Sequence, residues 1–178
     1  GAPAGEVRID AVDWINDIEV PDDGTIYATR SGSFGNAPDP ATWQVWKITP
    51  DGTASVFVQG APLFQPNGVA FDPRGNIVVV NVGGAAGLTF SPAGRLLGTE
   101  QAAQPGSDGL VIMPDGTKYV SSVRLGTVAR IRPGQKAEKI ADGIPTAASM
   151  TYDSKRNRLV IPMNDWNAIT IVELGPQK

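Results

Sequence analysis

Asn67-Gly68-Val69-Ala70-Phe71-Asp72-Pro73-Arg74-Gly75-Asn76-Ile77-Val78-Val79 and Asp108-Gly109-Leu110-Val111-Ile112-Met113-Pro114-Asp115-Gly116-Thr117-Lys118-Tyr119-Val120 follow one pattern, 41 residues apart. Each opens on an amide or carboxylate followed by Gly. A short β-prone run comes next, then a Pro/Asp/Gly turn and a second β-prone run. That is the signature of a hairpin. The same turn chemistry recurs at Pro21-Asp22-Asp23-Gly24, Pro50-Asp51-Gly52, Pro92-Ala93-Gly94 and Pro133-Gly134. Sorted alternately, the turns form two series. Gly24, Gly75, Gly116 and Asn157 are separated by 51, 41 and 41 residues, and Gly52, Gly94 and Gly134 by 42 and 40. Two hairpins per period of about 41 residues make a four-stranded unit, the size of a propeller blade.

The chain divides on this period into one all-β domain, 1–178, with blades at approximately 13–60, 66–101, 107–143 and 147–174. Blade four lacks an outermost strand. Residues 6–9 (Glu-Val-Arg-Ile) form a predicted strand with no blade, and could complete blade four. The ten extra residues of the first spacing fall in the loop 31–40. A two-layer sandwich has similar strands but no reason to keep a fixed 41-residue period.

Composition agrees with this architecture and excludes much chemistry. Gly and Pro number 21 and 15 in 178 residues, about a fifth of the chain where about 12% is usual. Such a composition suits turns and short strands, not long helices. There is no His and no Cys. A Ser–His–Asp triad, thiol nucleophiles and Cys/His zinc sites are therefore excluded. Catalysis would have to use carboxylates, hydroxyls, amides, Lys, Tyr or a hard metal held by oxygen. A net charge of −3 with no Lys/Arg run argues against a nucleic-acid partner. No apolar stretch approaches the ~20 residues that span a bilayer, which argues against a membrane partner. Gly1 is not a natural start and no signal-like apolar region follows it, so upstream residues are expected to have been removed or to lie elsewhere. The lack of Cys fits an oxidising compartment and the cytoplasm equally; a periplasmic or secreted location is the expectation.

The candidate site comes from aligning the units on their first hairpin Gly. Eight residues before it stand Asn16, Asn67, Asp108 and Ser149, each just ahead of its blade's innermost strand. Inner strands surround the central channel, so equivalent positions point at one axis. Two amides and a carboxylate converging there form an oxygen cage suited to a hard cation such as Ca²⁺. Asn-Gly and Asp-Gly are also common turn formers, and on spacing alone both interpretations stand. Arg30, Asn81 and Ser122 fall six residues after their hairpin glycines and are candidate substrate-binding positions. The Asp residues at 22, 23, 51, 72 and 115 are expected to be turn residues, and Trp14, Trp43, Trp46 and Trp166 to pack blades.

The stretches from Asn16 to Tyr27, Gln65 to Phe71 and Ser107 to Val111 resemble the SMP-30/gluconolactonase/luciferin-regenerating family of six-bladed propellers, in order and spacing. The resemblance covers essentially the whole chain. It implies one divalent metal in the channel, often Ca²⁺, and hydrolysis of lactones or related esters. The implied ligands are a Glu near the chain start, two Asn and one Asp. Asn16 and Asn67 match the amides, and Asp108 matches the aspartate that is also the proposed base. The departure is that four blades are present and no Glu stands in register. The missing blades are expected on a companion chain or an N-terminal segment, although closure of four blades alone is conceivable. A metal-dependent lactone or ester hydrolase acting on a small-molecule substrate is the leading expectation. A non-catalytic propeller binding a metal or small ligand, or a protein-interaction scaffold, is the alternative.

Overall fold

The computed structural model of the chain describes residues 1–2, 4–9, 12–32 and 38–175. Its regular structure is almost entirely β, in four antiparallel sheets. Blade one comprises β1 (Ile15–Glu19), β2 (Ile26–Arg30), β3 (Gln44–Ile48) and β4 (Ala54–Gln59). Blade two comprises β5 (Pro66–Phe71), β6 (Ile77–Asn81), β7 (Ala86–Phe90) and β8 (Leu96–Gln101). Blade three comprises β9 (Ser107–Ile112), β10 (Lys118–Ser122), β11 (Thr127–Ile131) and β12 (Glu138–Ala141). Blade four has only β13 (Thr151–Asp153), β14 (Arg158–Met163) and β15 (Ala168–Glu173). Within each blade the strands pair in sequence order. Among the described residues no helix is long and apolar enough to cross a membrane.

The turn aspartates hold the hairpins together, as expected. Asp23, Asp51, Asp72 and Asp115 each accept the N–H two residues on, from Thr25, Thr53, Arg74 and Thr117, at 2.8–3.1 Å. These Asx turns leave the following glycines at positive φ (Gly24, Gly52, Gly75 and Gly116, at 76–86° with Gly24 at 77°).

Packing joins blade to blade. Tyr27, Trp43 and Val45 of blade one share a core with Leu63, Val69, Ile77 and Phe90 of blade two. Tyr27 sits edge-on between Phe57 and Phe71, with ring centroids at 5.2 and 5.4 Å. Val78 and Val80 of blade two meet Leu110, Val120 and Ile131 of blade three. Val128 and Tyr119 of blade three meet Ile144, Leu159 and Ile161 of blade four. Among the described residues, three interfaces join the four blades into an open arc. Its two end faces remain apolar, with Ile15 and Ile18 exposed on blade one and Ile169 and Ile171 exposed on blade four.

Residues 6–9 correct the sequence-based expectation. They form no strand and do not join blade four. Val7 and Ile9 instead line a groove of about 680 Å³ with Ile15, Ile18, Ile26 and Ile48, on the outward face of blade one. The physical reason is the availability of that apolar face beside them in sequence. Two tryptophans also depart from expectation. Trp43 is buried and Trp46 partly so, but Trp14 and Trp166 are exposed.

Candidate functional site

Each blade enters its inner strand through the same irregular geometry. The residue ten or eleven positions before the hairpin end is left-handed: Trp14 (φ 55°), Gln65 (53°), Gly106 (84°) and Thr146 (51°). Three of them carry side chains that ordinarily avoid this region, a strain that tends to gather at functional sites. In blades one to three its carbonyl accepts the N–H just past the second strand: Ser31 to Trp14 at 3.1 Å, Val82 to Gln65 at 2.9 Å, and Val123 to Gly106 at 3.0 Å.

A bulge follows at once. Ile15 pairs with Arg30 and Ile18 with Ala28, so three steps along β1 oppose two along β2. Pro66 pairs with Asn81 and Val69 with Val79. Ser107 pairs with Ser122 and Leu110 with Val120. The extra residue therefore falls at Asn16-Asp17, Asn67-Gly68 and Asp108-Gly109. In blade four the bridge Ala147–Met163 followed by the pair Thr151–Val160 brackets one extra residue around Ser149. Bulges re-aim side chains and are enriched beside active sites. Asn67-Gly68 and Asp108-Gly109 accordingly lie within strands, not in turns, which removes the turn-former alternative.

The glycines in these bulges exist because neighbouring inner strands nearly touch. A Cβ on Gly68 would stand 2.4 Å from the Asp108 carbonyl oxygen, and one on Gly109 would stand 2.8 Å from the Ala148 oxygen and the Met150 nitrogen. Blade one has Asp17 at the corresponding position.

Asn67 and Asp108 are brought together. Asn67 is 3% exposed and Asp108 9%, and Asn67 Nδ2 donates to Asp108 Oδ2 at 3.1 Å. The other amide atom, Asn67 Oδ1, is buried without a hydrogen-bond partner among the described residues. Burial pushes the Asp108 carboxyl up to about 6, helped by the charge of Asp17 and opposed by the Asn67 hydrogen bond. Asp17 is likewise raised by burial, against the pull of the Val69 and Ile18 N–H groups. Glu19 is raised by burial and by Asp17. Nowhere among the described residues do three or more acidic side chains gather as a ready metal cluster.

Asn16 does not contact this pair directly. It is exposed, and its Nδ2 donates to Ser31 Oγ at 3.1 Å, whose hydroxyl donates to the Pro66 carbonyl at 2.7 Å, one residue from Asn67. Arg30, Asn81 and Ser122 occupy one register position, opposite the residue that precedes each bulge. Their polar atoms serve the surrounding loops. Arg30 pairs with Asp13 at 2.7 Å and reaches Gln44 Oε1 at 3.2 Å. Asn81 accepts from Phe64 N at 2.9 Å and donates to the Ala86 carbonyl at 2.7 Å. Ser122 donates to the Pro105 carbonyl at 2.6 Å. Residues 33–37 of the loop 31–40, which carries the ten extra residues of the first spacing, lie outside the described residues. Asp17 was missed in sequence, where it stood beside a better-aligned Asn.

No family model matches the chain, and no curated relative matches it in sequence. Solved structures do. The chain is similar to a protein assigned as a gluconolactonase, with a TM-score of 0.73 and 20% identity over 98% of this chain and 65% of that one. It is also similar to a gluconolactonase from Xanthomonas campestris, with a TM-score of 0.64 and 23% identity over 88% and 57% of the respective chains. A streptogramin B lyase gives a TM-score of 0.65 at 15% identity, over 97% of this chain and 59% of the other. Likeness at these identities establishes the propeller fold. The chain spans less than two thirds of the length of each neighbour.

Proposed function

We propose that the chain carries the site of a divalent-metal-dependent hydrolase of lactones or related esters. The observation that carries this is the buried Asn67–Asp108 pair, with an unpartnered amide oxygen beside a carboxylate. Amide and carboxylate oxygens brought together at neighbouring bulges suit Ca²⁺, and this chain has no His or Cys to offer as ligands. Asn67 and Asp108 would hold the ion, with Asn16, linked to the Asn67 strand through Ser31, at the edge of the set in blade one. A half-turn of the Asn67 amide would present its Oδ1 where Nδ2 now meets Asp108. The ion, once bound, supplies electrophilic polarisation of an ester carbonyl. Asp108 would take up a proton from the attacking water. Arg30 orients the substrate at the mouth, while Asn81 and Ser122 hold the loops around it. One carboxylate with amides binds Ca²⁺ weakly, so a periplasmic or secreted setting, where sites of about 10⁻⁴–10⁻³ M are filled, fits best.

The test is hydrolysis of a panel of lactones and aryl esters with and without chelator. Turnover should depend on the divalent ion, and Asp108→Ala should lower kcat/KM at least about a hundredfold. Turnover indifferent to chelation would overturn the metal role. Ion binding with no turnover across the panel would favour a non-catalytic binding propeller.

The apolar end faces support a partner proposal. Ile15 and Ile18 on one end, and Ile169 and Ile171 on the other, are surfaces that blades normally bury. We infer that further blades, from a companion chain or an N-terminal segment, pack there. The isolated chain is then expected to self-associate at micromolar concentration in light scattering. A monodisperse monomer would count against such packing.

A further inference from the structure

Asp17 is bound to the strand that carries Asn67 by more than proximity. Its backbone N–H donates to Thr29 Oγ1 at 3.0 Å, and the same hydroxyl donates to the Asn67 carbonyl at 2.7 Å. Its Oδ2 accepts the Val69 N–H at 3.0 Å, two residues beyond Asn67. Its Oδ1 accepts the Ile18 N–H at 2.9 Å. Asn67 then donates to Asp108. One line of contacts thus runs Asp17, Asn67, Asp108 across the bulges of three blades.

The charges along this line are unbalanced. Among the described residues, every ion pair of Lys or Arg goes to other carboxylates, and none reaches Asp17 or Asp108. Asp108 is buried and Asp17 half-buried, and neighbouring carboxylates in such places favour a proton or a compensating positive charge. Asn67, which links the two through its backbone carbonyl and its Nδ2, leaves its Oδ1 buried and without a hydrogen-bond partner among the described residues, an acceptor that also asks for a positive partner. A hard divalent cation is the kind of partner that would answer both carboxylates and the amide oxygen. Each Asp17 oxygen accepts one N–H and retains a second lone pair, so its charge stays available to such an ion.

We propose that Asp17 is the second anionic residue of the cation site, positioning Asn67 from blade one and doubling the negative charge that the ion meets. This rests on the cation reading above and adds to it a residue that the spacing of Asn16, Asn67 and Asp108 does not contain. Thr29 serves as its anchor. Asn16, exposed and engaged with Ser31, contributes less.

Calorimetric titration of the whole chain with Ca²⁺ tests this, using wild type, Asp17→Asn, Asp17→Glu and Asn16→Ala at several NaCl concentrations. Asp17→Asn should weaken binding at least about tenfold and flatten its salt dependence, because one of two charges has gone. Asp17→Glu keeps the charge and should restore affinity to within about threefold of wild type, and Asn16→Ala should weaken binding less than Asp17→Asn. Thermal melts without Ca²⁺ check that each variant is folded. Asp17→Asn binding with wild-type affinity and salt slope overturns the proposal and leaves the Asn67–Asp108 site standing. Equal losses in folded Asp17→Asn and Asp17→Glu also overturn it, since charge would not then be the cause. Wild type that takes up no Ca²⁺ overturns both this and the cation reading.

Discussion

Asp108→Asn is expected to make the protein more stable at pH 8 while abolishing its affinity for a divalent ion. The carboxyl sits at about 6 when folded, against an ordinary 3.8. The folded state therefore holds this proton more tightly than the unfolded chain does. Below pH 3.8 both states are protonated and the group costs nothing. As pH rises from there through 6, the folded state must ionise a buried carboxyl beside Asp17, and stability falls. Above that window the full difference applies, about 3 kcal/mol. An Asn side chain has similar shape, can still accept the Asn67 hydrogen bond, and carries no charge. Denaturant unfolding at pH 8 should give the variant an advantage of about 2–3 kcal/mol that vanishes by pH 3.5. Equal stability at pH 8 would show that the burial cost is met within the fold. Loss of ion binding together with gained stability is the mark of a site held against its own folding interest.

Gly68→Ala is expected to have the larger cost to the fold. Its Cβ would stand 2.4 Å from the Asp108 carbonyl and 3.1 Å from the Leu110 nitrogen. Both obstacles are backbone of the next inner strand, so β9 itself must move, at about 3 kcal/mol or more. The same movement separates Asp108 from Asn67 and should weaken ion binding. Gly75→Ala is the control. Gly75 is left-handed in an open turn with no atom near its missing Cβ, so only backbone strain applies, about 1 kcal/mol. Comparable losses in the two variants on chemical denaturation would contradict the close approach of the inner strands.

The repeat was legible because turn chemistry is local. Asp-Pro-Arg-Gly at 72–75 and Pro-Asp-Gly at 114–116 need no distant partner to specify a hairpin, and their period counts the strands. The site was half legible. The offset of eight residues finds the bulge in every blade, yet a bulge offers two adjacent side chains, and the offset names the first. In blades two and three the second is Gly, so Asn67 and Asp108 stand without competition. In blade one the second is Asp17, and only the contact between β1 and β5 reveals that its carboxylate, not the Asn16 amide, turns inward to the Val69 N–H. The end of the chain nearest Gly1 failed for a different reason. The Glu-Val-Arg-Ile pattern at 6–9 reads as a strand, but Val7 and Ile9 instead line an apolar groove on blade one.

Because the arc is open, its cohesion is a sum of nearest-neighbour couplings, as in a linear array. The line from Asp17 through Asn67 to Asp108 crosses two of the three couplings and stops at blade three. Blade four is joined by its apolar core and by Ser121, whose hydroxyl donates to the Ala148 carbonyl at 2.6 Å. An ion bound on that line stabilises by mass action only what it spans. Rising ion concentration therefore welds blades one to three into a single cooperative block and leaves the fourth at its own, unchanged free energy. The ligand that strengthens most of the molecule also divides its unfolding in two.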